Sequence, residues 1–313
     1  MQRRGYRVPE RTNGAETGGK HEVATMRLGI VTPVVTRLPG AHARWEAKAG
    51  IGEISHACRE AERLGYDFVT CSEHVAVPVA VASERGATYW DPLATLGAVA
   101  AVTDRIRLAT FVLVLPYHHP LEIAKRYGTL DVVSGGRLVL GVGVGSLEAE
   151  FELLDAPWAD RGAQTDDAIR ALRASLGVAE PSYRGPHFSF DGMIVDPCAV
   201  QASVPIWVGG RTGRSLHRAI TLADGWAPFG LAGAELKTML AAARETDAWA
   251  TRDQPLDVIL QNDRPLDPGG EPDRVREQLS KYEALGATAL AARLAHHSLE
   301  HYCHQMSALA ELA

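Results

Sequence analysis

T-D-R-I-R-L-A-T-F-V-L-V-L-P-Y-H-H-P-L-E-I-A-K-R-Y-G-T-L-D-V-V-S-G-G-R-L-V-L-G-V-G-V-G-S-L-E-A-E, Thr103 to Glu150, reads as strand, helix, strand and then a glycine-spaced loop. The apolar runs Ile106 to Leu115 and Arg137 to Val142 are nearly continuous in Val, Ile and Leu. That is the pattern of parallel strands covered by helices on both faces. The segment between them, about Pro120 to Val133, has the length of a crossover helix, which parallel pairing requires. Gly141-Val-Gly-Val-Gly145 follows the second strand, and without Cβ atoms its backbone N–H groups can approach an anionic ligand. A βαβ unit with such a loop at its carboxyl end is the core of an α/β enzyme.

The alternation continues on both sides. Strands are predicted over Arg27 to Thr32, Asp67 to Cys71, Ile106 to Val114, Arg137 to Val142, Pro205 to Val208, Gly225 to Pro228, Leu256 to Gln261 and Thr288 to Ala292. The first predicted helix, about Ile51 to Leu64, puts Ile54, Ala57, Cys58, Ala61 and Leu64 on one face and ends at Gly65. Asp91-Pro92 opens the second with an N-cap and a proline at the first helical position. Further helices are predicted at Pro120 to Val133, Ala163 to Leu176, Gly213 to Ala223, Gly233 to Ala250, Glu271 to Leu285 and Ser298 to Leu312.

Eight strand–helix pairs predict a closed (β/α)8 TIM barrel, with a doubly wound open sheet as the alternative. Gly177 to Val204 breaks the period, and Tyr183-Arg-Gly-Pro-His-Phe-Ser-Phe190 within it reads as a short hairpin. Insertions at the C-terminal face of a barrel usually shape its active site. No linker divides the chain, so residues 26–313 are expected to form one domain after a leader of residues 1–25. Met1 to Thr25 is polar, glycine-rich and without the apolar region of a secretion signal; it reads as a disordered leader or as sequence upstream of a start at Met26.

A net charge of −6 argues against a nucleic-acid surface, and no apolar run approaches the roughly 18 residues a membrane helix needs. Cys58, Cys71, Cys198 and Cys303 show no C-x-x-C spacing, which fits reduced thiols in a cytoplasmic enzyme.

Three places carry candidate chemistry. Gly141, Gly143 and Gly145 follow the fourth strand. Gly209-Gly210-Arg-Thr-Gly-Arg-Ser215 joins the fifth strand to the next helix, whose first N–H groups lack intrahelical acceptors, and Arg211 or Arg214 adds charge. The same loop also reads as a tight turn with surface arginines. Ser72-Glu73-His74 ends the second strand, where a histidine can give or take a proton; a surface loop histidine is the plain alternative.

The blocks S-E-H at Ser72 to His74, S-G-G-R-L-V-L-G-V-G-V-G, P-I-W-V-G-G at Pro205 to Gly210 and A-D-G-W-A-P at Ala223 to Pro228 resemble the bacterial luciferase-like monooxygenases. Within them, the resemblance is to the branch that uses the deazaflavin coenzyme F420, and it covers about Arg27 to Trp249. It implies a flavin-like ring over the barrel mouth and its phosphate on the loop of Gly209, Gly210, Arg211 and Thr212. It also implies an acid–base role for His74, with Glu73 touching the ring or ribityl chain. Phe111-Val112 matches the place of a non-proline cis peptide that supports the ring in similar proteins; as a bare sequence it is ordinary strand. Sugar-phosphate dehydrogenases of the family bear a glutamate where this chain has Ser146, so a sugar phosphate is a poor substrate expectation. Glu148 and Glu150 read as exposed acids of a short helix.

The expectation is therefore a cytoplasmic, F420-dependent oxidoreductase acting on a small molecule, a homodimer like many relatives, with no metal. FMN with oxygen chemistry is the alternative cofactor, and a non-catalytic flavin-binding barrel is the alternative class. A phosphate-binding aldolase or isomerase barrel would want a lysine at a strand end, and no predicted strand end has one. His297, His301 and His304 share one helix face, which reads as packing or solvated surface rather than zinc ligands. His118-His119, Trp90, Trp158 and Trp226 are weighed as possible pocket residues, and Trp207 as core.

Overall fold

The computed structural model describes residues 26–313, and the leader expected over residues 1–25 lies outside the described residues. Eight strands run β1 Arg27–Val31, β2 Phe68–Cys71, β3 Arg107–Thr110, β4 Leu138–Gly143, β5 Ile206–Gly209, β6 Gly225–Ala227, β7 Asp257–Gln261 and β8 Ala289–Ala292. Each pairs in parallel with its sequence neighbours, β8 pairs β1, and β4 pairs β5, so the sheet closes into a (β/α)8 barrel. The open-sheet alternative is excluded by that closure.

The helices α1 Ile51–Arg63, α2 Pro92–Ala100, α3 Pro120–Ser134, α4 Arg161–Arg173, α5 Gly213–Leu222, α6 Gly233–Arg244, α7 Pro272–Ala284 and α8 Leu299–Ala310 surround it. Their starts follow the local chemistry: Asp91 accepts from the Ala94 N–H at 2.8 Å with Pro92 at the first helical position, and Thr212 accepts from the Ser215 N–H at 3.3 Å. The helix expected over Gly233 to Ala250 is in fact two. α6 ends at Arg244, and Thr246 caps a separate turn, Asp247–Ala250, because its hydroxyl competes with the helical ladder.

The barrel interior is filled rather than open. Phe68 and Trp207 meet edge to face at 5.1 Å between ring centroids, and Ala109, Val139, Ile259, Ala289 and Ala291 complete the layer. Gly29 and Gly225 make the room: a Cβ at Gly29 would fall 2.4 Å from the Phe68 ring, and one at Gly225 2.5 Å from Trp207. A second apolar layer, including Ile54, Leu96, Leu108 and Ile169, joins strands to helices. The insertion carries the expected hairpin, Tyr183–Arg184 against Ser189–Phe190. Among the described residues, no helix is long and apolar enough to cross a membrane.

Candidate active site

A cavity of about 340 Å³ lies over the C-terminal end of the barrel and takes lining from the last residue of, or the chain after, every strand. Its floor is built by mutual support between β2 and the segment after β3. The Phe111 N–H donates to Cys71 O at 2.8 Å, Ser72 Oγ donates to Phe111 O at 2.9 Å, and the Glu73 N–H donates to Val112 O at 3.2 Å. The Phe111–Val112 peptide is cis, at the position the resemblance marked.

The glycines sit differently from the loop expected of them. Gly141 and Gly143 lie within β4, where a Cβ would fall 2.0 Å from Thr110 O and 2.7 Å from Val112 Cγ2. Gly209 plays the same part at 2.8 Å from Val112 Cγ1. These three make space for the Phe111–Val112 turn, and Gly141 does not line the cavity. Gly145, at φ +76°, is a true turn glycine on the rim, and Gly210, at φ +145°, ends the cavity lining on the β5 side. Arg211 and Thr212 stand exposed beyond it, with the Thr212 and Ser215 hydroxyls engaged in capping α5. The N–H groups of Gly213 and Arg214 occupy first-turn positions without intrahelical acceptors.

Glu73 is buried and fully engaged: one carboxylate oxygen accepts from the Val114 N–H at 2.7 Å, the other meets His118 Nε2 at 2.8 Å. It ties β2 to the chain after β3. His119 caps α3, accepting from the Leu121 N–H at 3.2 Å, and packs against Phe188. None of the six tryptophans lines the cavity; Trp207 and Trp226 are wholly buried in the core. His297, His301 and His304 do share a face, with the first two rings 4.1 Å apart.

The main correction is Glu150, expected as an exposed acid and found 1% exposed. Its Oε2 lies 2.8 Å from His74 Nδ1 and accepts from the Tyr117 hydroxyl at 2.9 Å; its Oε1 accepts from the N–H groups of Val75 at 2.5 Å and Ala76 at 3.2 Å. Burial alone would raise this carboxyl. The His74 hydrogen bond and charge and the two backbone donors override it and hold Glu150 below the usual carboxylate range. An ionised carboxylate at Nδ1 keeps that nitrogen protonated, so the lone pair of the neutral ring resides on Nε2. His74 lines the cavity and packs edge-on to Tyr89 at 4.5 Å. The arrangement is a carboxylate–histidine dyad able to take up or release one proton at the barrel mouth.

A signal for Glu150 existed. Leu147, Glu150 and Phe151 are the buried face of the short helix Glu148–Leu153 and the residue before it, at i, i+3 and i+4. An acid inside an apolar stripe points inward. Gln261 and Arg293, also on the cavity wall, had no such signal.

Residues 26–263 match the family described as luciferase-like monooxygenase. An uncharacterised protein of Mycobacterium tuberculosis is 30% identical over 212 residues, covering 64% of this chain and 73% of that protein. The F420-dependent glucose-6-phosphate dehydrogenase of Microbacterium testaceum is 32% identical over 170 residues, covering 53% of this chain and 49% of that enzyme. Among solved structures, a monooxygenase from Streptomyces bottropensis superposes with a TM-score of 0.75 at 21% identity, over 91% of this chain and 98% of its own. With the closed barrel and most of its length matched, the chain belongs to the luciferase-like monooxygenase family.

Proposed function

We propose that this protein is an F420-dependent oxidoreductase, moving a hydride between the deazaflavin and a small organic substrate, with reduction of a C=C or C=N bond as the favoured reaction. The observation that carries the reading is the His74–Glu150 dyad opening onto a cavity with glycine margins. The similarity to the F420-dependent dehydrogenase of Microbacterium testaceum supports the choice of cofactor. Its sugar-phosphate substrate does not carry over, since Ser146 stands where such enzymes bear an acid.

The residues present fit a flavin-like group. Phe111, Val112 and Val144 offer an apolar wall, Gly143, Gly145, Gly209 and Gly210 leave backbone free of Cβ atoms, and His74 and Ser146 supply polar edges. Arg211, Thr212 and the first turn of α5 would face the phosphate. When bound, the deazaflavin supplies or accepts the hydride; the chain contributes orientation and proton handling. Glu73 and Glu150 hold the loop after β2 in place, and His74 Nε2 exchanges the proton with the substrate.

FMN is the second reading, because the family includes monooxygenases. Side-by-side titration of F420 and FMN by fluorescence quenching separates the two. F420 is expected to bind more tightly; micromolar FMN binding without detectable F420 binding would overturn the proposal.

A further inference from the structure

Arg293 follows β8 and is the only arginine or lysine among the described residues that lines the active-site cavity. Its backbone is clamped. Asn262, 1% exposed, accepts from the Arg293 N–H at 2.8 Å and donates to its carbonyl at 2.9 Å, and the Leu266 N–H donates to the same carbonyl at 2.9 Å. The guanidinium therefore starts from a fixed point. With its amide oxygen turned inward, Gln261 accepts from Arg293 Nε at 2.9 Å and Nη2 at 3.2 Å, which leaves Nη1 directed elsewhere.

Among the described residues, no carboxylate forms an ion pair with the Arg293 guanidinium. Of the buried acids around the mouth, Glu150 is taken by His74 and Tyr117, and Glu73 by His118 and the Val114 N–H. Glu46, in the adjoining cleft, is taken by the N–H groups of Val34 at 2.7 Å and Ala43 at 2.6 Å. Asp263, exposed in a neighbouring groove that Arg293 also lines, reaches the guanidinium only through its field and forms no ion pair with it. An arginine cannot shed its charge, so a partly buried one without a counter-ion leaves a strong donor edge for a ligand. A phosphate dianion would call for more than one cation. A lone guanidinium matches a monoanion.

We propose that Arg293, steadied by Gln261, anchors a carboxylate of the substrate, so that the substrate is a small organic monoanion held between this anchor and His74. The inference rests on reading the cavity as the reaction site, but its test uses the cofactor-free protein. The probes are benzoate, its neutral counterpart benzamide, and inorganic phosphate, titrated calorimetrically against wild type, Arg293→Met and Arg293→Lys, each checked by thermal melting. Wild type should bind benzoate at least tenfold more tightly than benzamide. Arg293→Met should weaken benzoate by about 10- to 100-fold, the range for a charge-assisted bond, with partial recovery in Arg293→Lys. Equal benzoate affinity in wild type and Arg293→Met, or no preference over benzamide, overturns the proposal. Tighter phosphate than benzoate overturns the carboxylate assignment. Separate titrations of F420 and FMN distinguish the remaining case: if Arg293→Met weakens either cofactor and spares benzoate, Arg293 belongs to the cofactor. Should Arg293→Met fail to fold, the benzamide comparison and Arg293→Lys decide. Failure of both cofactors with the benzoate result intact would sink the F420 reading and leave the anchor standing.

Discussion

The two ends of the barrel handle charge in opposite ways. At the N-terminal end, Arg27, Asp67, Arg107 and Asp257 sit at or beside the starts of four strands and neutralise one another. Arg27 meets Asp67 at 3.2 Å and Asp257 at 2.6 Å, Arg107 also grips Asp67, and Thr288 donates to Asp257 at 2.9 Å. At the C-terminal end, acids hold histidines and backbone in place, and Arg293 is left without an ion pair. The floor is closed bookkeeping within the chain, which serves stability. The mouth is left incomplete toward a ligand, which is where barrels place chemistry.

The largest effect should come from breaking the mouth. His74→Ala and Glu150→Gln are each expected to lower single-turnover hydride transfer by roughly 10²–10⁴-fold, with cofactor affinity changed less than about tenfold. A hydride-transfer rate within about threefold of wild type in His74→Ala would remove it as the proton carrier.

The next test probes the C-terminal end by pH. His296, just past β8, accepts from Trp45 Nε1 at 2.9 Å, and burial first, then His301 and His297, push it down to about 4. A depressed histidine is neutral in the fold and binds protons more readily when unfolded. Its contribution is complete above about pH 6.5 and is lost as pH falls toward 4, by up to about 3 kcal/mol. Melts of wild type and His296→Gln from pH 7.5 to 4.5 should therefore converge on the acid side; a constant gap would refute the assignment.

Breaking the floor should give a different signature. Asp67→Asn is expected to reduce stability by roughly 1–2 kcal/mol, discounted because the paired side chains are about a quarter to a third exposed, and to leave turnover unchanged. A loss of turnover without a loss of stability would erase the contrast between the ends. The smallest effect belongs to Tyr117→Phe, which removes one hydrogen bond to Glu150 and should cost about 0.5–1.5 kcal/mol and less than tenfold in rate. Burial, then the Glu150 charge, raises the Tyr117 phenol, so it remains a donor across the working pH range.

At Gly210, close ligand approach and backbone conformation coincide. Its φ of +145° and a Cβ position 2.6 Å from Ser215 Cβ mean that a valine there would strain the backbone as well as crowd a phosphate. Lost ligand binding in that variant would not by itself identify the loop's role.

The strand and helix alternation, the Asp91 cap, the hairpin in the insertion and the position of His74 at a strand end were all legible in the sequence. Each is encoded by spacing of a few residues: apolar runs for buried strands, a capping side chain ahead of a helix, a glycine where backbone turns. The Glu150 partnership with His74, 76 residues away, was decided only when the barrel closed and brought the loops after β2 and β4 together. Closure likewise turned Gly141 into room for the Thr110 carbonyl and Gly143 and Gly209 into room for Val112, drew Trp226 into the core, and set Arg293 beside Gln261 without an ion-paired acid. Local periodicity fixes which way a side chain leaves its own element, whereas a counter-ion or a clash depends on distances between elements, which a linear pattern does not contain.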